Sequence, residues 1–379
     1  MSNNGKTGRS RIYYLDFARA AAIISISSNH AVNRAFAVQH EQAAETAVLP
    51  LYLNMIKAGV AIFSRIGVPL FLMITGALML SRKYETREDV RRFYRFNWLG
   101  LFITAEIWFF IMFWAKTLMG GLAVLKTASL PVLIGRCILN QLFLNQQTMA
   151  SMWYMQMLLP MYMLLPVFAV FLQKGFDRWV VPIAAILVYT HFLVPAVNAF
   201  LMLTGRDYVL STELGGTGAV YYLMVYVLFG YWLHRYRNEL RKKLSLSAGI
   251  VLWIAVFIPV CAYQLYAFGQ EPDYVLNYNS PGVLLCGAVT FLLMILAADR
   301  LKVLRGPAVY LSGISFGIYF VHILIMQALY AYTRGMTAAW NPLFTMLYYE
   351  VVSVGGSILF IALTSRIPFC KKYMFMIKN

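Results

Sequence analysis

The chain has 379 residues, of which 61% are hydrophobic and only 12% charged, with a formal net charge of +17. So few charges cannot cover a water-soluble protein of this length, and a mean hydropathy of +0.66 points to the bilayer as solvent. The basic residues fall in short clusters between long apolar runs, which favours orienting loops over a nucleic-acid-binding patch.

A helix crossing the hydrocarbon core needs about 20 apolar residues. Such runs are predicted at 12–33, 58–80, 97–115, 152–172, 179–201, 218–234, 247–267, 281–298, 308–330 and 343–364. The fold class expected is therefore an all-α integral membrane protein of about ten transmembrane helices. Lys6, Arg9 and Arg11 precede the first run as in a signal peptide, but that run contains Asp16 and Arg19 and lacks a small-residue cleavage site. It reads as a retained first helix. With the N-terminus in the cytoplasm, the basic clusters at 82–95, 174–178, 235–243, 300–305 and 366–378 fall on the same side, so both termini are predicted to be cytoplasmic.

The opposite loops, at 39–46, 204–218 and 270–282, mix carboxylates, Asn, Gly and Tyr, either as plain solvated loops or as a surface for hydroxyl-rich material. The segment 116–151 is too long for a turn and holds an apolar stretch at 130–144, read as re-entrant or interfacial. Cys137, Cys261, Cys286 and Cys370 have neither disulfide-framework nor metal-site spacing. A single membrane domain over 1–379 is expected.

The first helix carries the expensive residues. An ionised group in hydrocarbon costs several kcal/mol, so Asp16, Arg19 and His30 call for a reason. Arg19 and His30 are separated by ten residues, which brings them to within about 20° on one helix face and about 16 Å apart along the axis. Asp16 is placed to pair with Arg19, and Ser27, one turn before His30, is placed to orient the imidazole.

Arg19, ten intervening residues and His30 resemble the R-x10-H signature of the membrane-bound acyltransferase 3 family. Arg65 with the run Gly67 to Gly76 resembles the second-helix segment of that family, with Thr75 in place of the usual Ser. Trp153, Tyr154, Tyr162 and Pro166 resemble a third segment, and Ser315 to His322 a fourth. The chain is similar, within the family, to surface-polysaccharide O-acetyltransferases of the enterobacterial common antigen type. Its end soon after the tenth helix resembles the stand-alone branch that lacks a soluble SGNH domain.

The resemblance implies transfer of an acyl group, acetyl or another, from cytosolic acyl-CoA to a hydroxyl of an envelope glycan or lipid-linked sugar. It also implies a place in the bacterial inner membrane. Such chemistry needs a base, and His30 is the natural one because an imidazole titrates near neutrality. His322 is a second candidate, with Tyr319 one turn before it, unless it is a hydrogen-bonded structural histidine. Acetyl-CoA is the expected donor, with no metal. Arg91, Arg92 and Arg95 are candidates for its phosphates, or are simple topogenic charge. Arg19 is placed to hold the pantetheine arm or polarise the thioester, and Arg65 belongs to the same donor-side set.

Glu106 and Glu350 are candidate ion-pair partners for either arginine. Trp153 and Tyr154 read as sugar-stacking residues or as an aromatic belt, Trp153 favouring the first and Tyr154 the second. His191 reads as core, and His40 and His234 as loop or interface residues. A transporter or flippase of a lipid-linked glycan or small metabolite is the alternative function, since intramembrane charges also mark substrate pathways.

Overall fold

The computed structural model describes residues 11–42, 50–119, 128–141, 152–206, 210–211, 219–271 and 274–377. Lys6, Arg9, Lys378 and parts of the loops at 39–46, 204–218 and 270–282 lie outside them, as does the end of the 130–144 stretch. The described residues form α1 (Tyr13–Gln42), α2 (Leu51–Leu80), α3 (Arg87–Met119), α4 (Leu130–Asn140), α5 (Trp153–Gln173) and α6 (Asp177–Met202). There follow α7 (Ala219–Arg235), α8 (Arg237–Lys243), α9 (Leu246–Gln270), α10 (Pro281–Ala297), α11 (Arg305–Thr337) and α12 (Pro342–Thr364), with no strand among the described residues. This is an all-α integral membrane protein.

Each apolar run of the sequence becomes a helix, since backbone N–H and C=O groups in hydrocarbon must find partners within their own segment. Among the described residues, seven helices are long and apolar enough to cross a membrane by length and composition. The other three candidate crossings depart for visible reasons: α1 carries the buried polar residues, while α7 and α10 have 17 residues each. Several helices run past their predicted ends, because hydropathy registers only the apolar part whereas intrahelical hydrogen bonding continues into the interface. α1, for example, reaches Gln42 rather than residue 33. Local signals set several starts. Ser245 accepts from the Ala248 amide at 3.1 Å, and Asn341 accepts from Leu343 N at 2.9 Å ahead of Pro342.

The 11-residue α4 is too short to span, and it is one-sided. Leu133, Cys137 and Asn140 are buried, while Leu130, Ile134 and Ile138 are exposed, as in an interfacial helix.

The basic clusters meet at one end of the bundle. Arg235 pairs with Asp177 at 2.5 Å, Arg241 with Asp299 at 3.3 Å, and the Arg305 guanidinium lies 4.3 Å from the Tyr13 ring centroid. The Gln173 amide donates to the Arg82 carbonyl. These contacts bring together the starts of α1, α6 and α11 and the ends of α2, α5, α7 and α10, and the positive-inside rule makes this the cytoplasmic end. α1 sits inside the bundle, packed against α2, α10, α11 and α12.

α2 and α7 cross in close backbone contact. A Cβ on Gly76 would stand 1.8 Å from the Val227 carbonyl oxygen, and one on Gly230 would stand 2.1 Å from that of Met73. Small residues permit this approach, which supplies van der Waals contact where lipid offers no hydrophobic drive.

Candidate active site

α1 and α11 run parallel and touch at three levels in the same order. Nearest the cytoplasmic end, Arg19 Nη1 donates to Ser312 Oγ at 3.2 Å. Further in, the ring centroids of His30 and His322 are 5.5 Å apart, with the ring planes tilted 46°. Beyond them, Arg34 Nη2 donates to Gln327 Oε1 at 3.3 Å, and its guanidinium lies 4.6 Å from the Tyr330 ring centroid. Arg19 and His30 thus meet the same helix at two depths, as their spacing requires.

The partners of this ladder differ from several expectations. Asp16 is paired with Arg11 at 2.8 Å rather than with Arg19: Arg11, just ahead of the helix, folds back and forks onto the carboxylate. Ser27 does not orient His30. Its hydroxyl donates to Glu350 Oε1 at 2.5 Å, holding a carboxylate of α12 against α1 one turn from His30. Glu106 lies against the Gln141 amide at 2.9 Å. Neither carboxylate forms an ion pair with Arg19 or Arg65 among the described residues.

His322 has a defined tautomer. Its Nδ1 donates to the Ile318 carbonyl at 2.6 Å, since a carbonyl oxygen only accepts. The lone pair of the neutral ring is therefore on Nε2, which is buried and, among the described residues, has no protein partner. Glu350 Oε2 and Arg65 Nε are likewise buried without partners. Buried polar atoms of this kind are costly in a finished scaffold and are what a substrate would satisfy.

An aromatic wall leads from Arg65 to His322. The Arg65 guanidinium is 5.3 Å from the Tyr278 ring centroid, Tyr278 is 5.4 Å from Trp153, and Trp153 is 6.0 Å from Tyr154. Tyr154 continues to Tyr319 at 5.7 Å, and Tyr319 to His322 at 6.5 Å. Tyr154 is only 7% exposed, which removes the aromatic-belt reading: belt rings face lipid headgroups, and this one is in the core. Arg34 and Arg65 are both close enough for their charges to act on His30.

The acyltransferase domain model matches residues 12–362, so it covers every residue of this arrangement except Arg11. The chain belongs to the acyltransferase 3 family. No curated protein and no solved structure matches it.

In this membrane acyltransferase, the basic segment at the start of α3 stays at the surface. Arg91 lies 3.9 Å from Glu88, Arg95 lies 5.4 Å from the Phe96 ring centroid, and Arg91, Arg92 and Arg95 are all exposed at the cytoplasmic end. They are separate from the interior ladder, though Arg82 of the preceding loop reaches Asn97 at 2.9 Å. Among the described residues, no three His, Cys, Asp or Glu side chains converge in a way that could hold a metal.

Several members of the site were missed in the sequence, among them Ser312, Gln327, Arg34 and Tyr278. Arg34 is four residues after His30 and so on its face, a signal that helical spacing offered. Tyr278 comes from the loop between α9 and α10, and no local pattern announces that it turns inward. His234 lies in the last turn of α7 at the basic end, in a helix rather than a loop; it is only 8% exposed, and its Nδ1 bonds the Tyr14 hydroxyl, so it is packed into the bundle there. His40 falls within α1. His191 bonds Thr190 Oγ1 at 2.9 Å.

Proposed function

We propose that this acyltransferase carries an acyl group, acetyl by family resemblance, from acyl-CoA at the cytoplasmic end to a hydroxyl of an envelope glycan, working in the bacterial inner membrane. The observation that carries the reading is the apposition of His30 and His322, with unpartnered Arg65 Nε and Glu350 Oε2 in the same polar interior. An acceptor hydroxyl between the rings loses its proton to an imidazole as its oxygen attacks the thioester carbonyl carbon. The C–S bond then breaks, and the departing CoA thiolate takes the proton back from the imidazolium. His30 is assigned as the base, and His322 Nε2, which has only a lone pair to offer, accepts from a second, neighbouring hydroxyl of the same acceptor.

Arg65 is assigned to donate to the developing oxyanion, a role in which a fixed donor is worth about 3 to 4 kcal/mol. Arg19, held by Ser312 nearer the cytoplasm, lines the path of the pantetheine arm, and the exposed Arg91, Arg92 and Arg95 meet the CoA phosphates at the surface. The deciding experiment is mass spectrometry of envelope glycan from a deletion strain complemented with the wild-type or His30→Ala gene. Loss of one acyl mass in the deletion, restored only by the wild type, is expected. An acylation pattern identical in all three strains would sink the proposal.

A further inference from the structure

A cavity of about 350 Å³ lies between α6 and α9, beside the loop that supplies Tyr278. It belongs to the half of the bundle opposite the basic end, since both helices start at that basic end and the lining residues lie towards their far ends. Its helix walls are apolar, from Ala199 and Phe200 on α6 and Pro259 and Val260 on α9. Phe200, one of the lining residues, is 64% exposed, as on lipid-facing surfaces. The rest of the lining includes Tyr263, Tyr274 and Leu276 and a polar edge at Asn277, Asn279 and Ser280, and among the described residues no charged side chain lines the cavity.

The loop is two-sided. Asn277 and Asn279 border the cavity, while Tyr278 between them turns into the bundle against Arg65 and Trp153. Buried side chains pin it: Gln264 donates to the Tyr274 carbonyl at 2.7 Å and accepts from Leu276 N at 2.9 Å, and Tyr226 donates to the Tyr278 carbonyl at 2.6 Å. One residue therefore separates the polar edge of a lipid-side cleft from the aromatic wall of the candidate active site.

We propose that this cleft seats a lipid-anchored, hydroxyl-bearing acceptor, with its hydrocarbon chain against α6 and α9 and an uncharged sugar head at Asn277 and Asn279. Apolar walls open to lipid suit the chain, carboxamides suit sugar hydroxyls, and a lining without Lys or Arg does not suit a phosphate head. The inference rests on the acyl-transfer reading for the meaning of the acceptor. The cleft itself is tested by binding alone.

The test uses the full chain in nanodiscs with two photoactivatable probes of equal chain length, each with a diazirine in the chain: an alkyl glucoside and an alkyl phosphocholine. Cross-links at Ala199, Phe200 and Val260 are read by mass spectrometry. Labelling by the glucoside is expected to exceed that by the phosphocholine by about fivefold, the worth of one or two net hydrogen bonds. Ala199→Trp should abolish it by filling the cleft. Because a Trp there risks misfolding, Asn279→Ala is the second variant, and it should bring the two probes to near parity. Equal labelling of the wild type, or an unchanged preference in Asn279→Ala, overturns the proposal. Acetyl-CoA consumption is measured in the same nanodiscs. Selective labelling without consumption would keep the cleft and discard acyl transfer, whereas consumption with equal labelling would do the reverse.

Discussion

The His30 and His322 rings stand 5.5 Å apart on parallel helices, and the Nδ1 of His322 is committed to the Ile318 carbonyl, so its basic nitrogen is left for a ligand. Two imidazoles on one acceptor sugar act as a unit. His30→Ala and His322→Ala should each lower kcat by about 10²- to 10⁴-fold, and the double variant by little more than the worse single. Acetyl-CoA binding, measured by calorimetry on detergent-solubilised protein, should be retained in all three. A fully additive double variant would contradict a shared acceptor.

Arg19 is oriented by Ser312 at 3.2 Å. Ser312→Ala keeps the charge and loses the orientation, so the KM for acetyl-CoA should rise by about three- to tenfold with kcat nearly unchanged, the cost of one ordinary net hydrogen bond. Arg19→Lys should raise it further, because an ammonium lacks the planar fork. Equal kinetics for wild type and Arg19→Lys would separate Arg19 from the donor.

The Tyr226 hydroxyl fixes the Tyr278 carbonyl at 2.6 Å in the protein interior. Tyr226→Phe leaves that carbonyl short of a donor, a loss of about 1 to 3 kcal/mol that loosens the loop. The expected signature is a raised KM for the glycan acceptor with an unchanged KM for acetyl-CoA. If the acetyl-CoA KM moved instead, the loop would belong to the donor side.

Gly76 and Gly230 leave no room for a methyl group against the facing backbone, whereas a Cβ on Gly59 would meet nothing within 4 Å. Gly76→Ala and Gly230→Ala should each cost at least about 1 to 3 kcal/mol by overpacking. Gly59→Ala should be neutral or slightly stabilising, as a helical Gly replaced by Ala usually is. Thermal unfolding in detergent, followed by tryptophan fluorescence, ranks the three. A Gly59→Ala Tm as low as that of Gly76→Ala would show that helix packing is not what the measurement reads.

The sequence by itself determined the membrane, the helices, the clustering of positive charge and the family. These follow from properties local to the chain: the length of an apolar run, the basic residues beside it and the period of the helix. Periodicity also set Arg19 and His30 on one face, and it held Arg34 in plain sight four residues further on. Only the tertiary structure decided what that face meets. Asp16 turns to Arg11, Ser27 to Glu350, and His30 to a histidine nearly three hundred positions away, while Tyr278 enters from a loop. Hydropathy fixes that a segment crosses the bilayer but not its rotation, its neighbours or its depth, and a polar pair between two helices depends on all three at once.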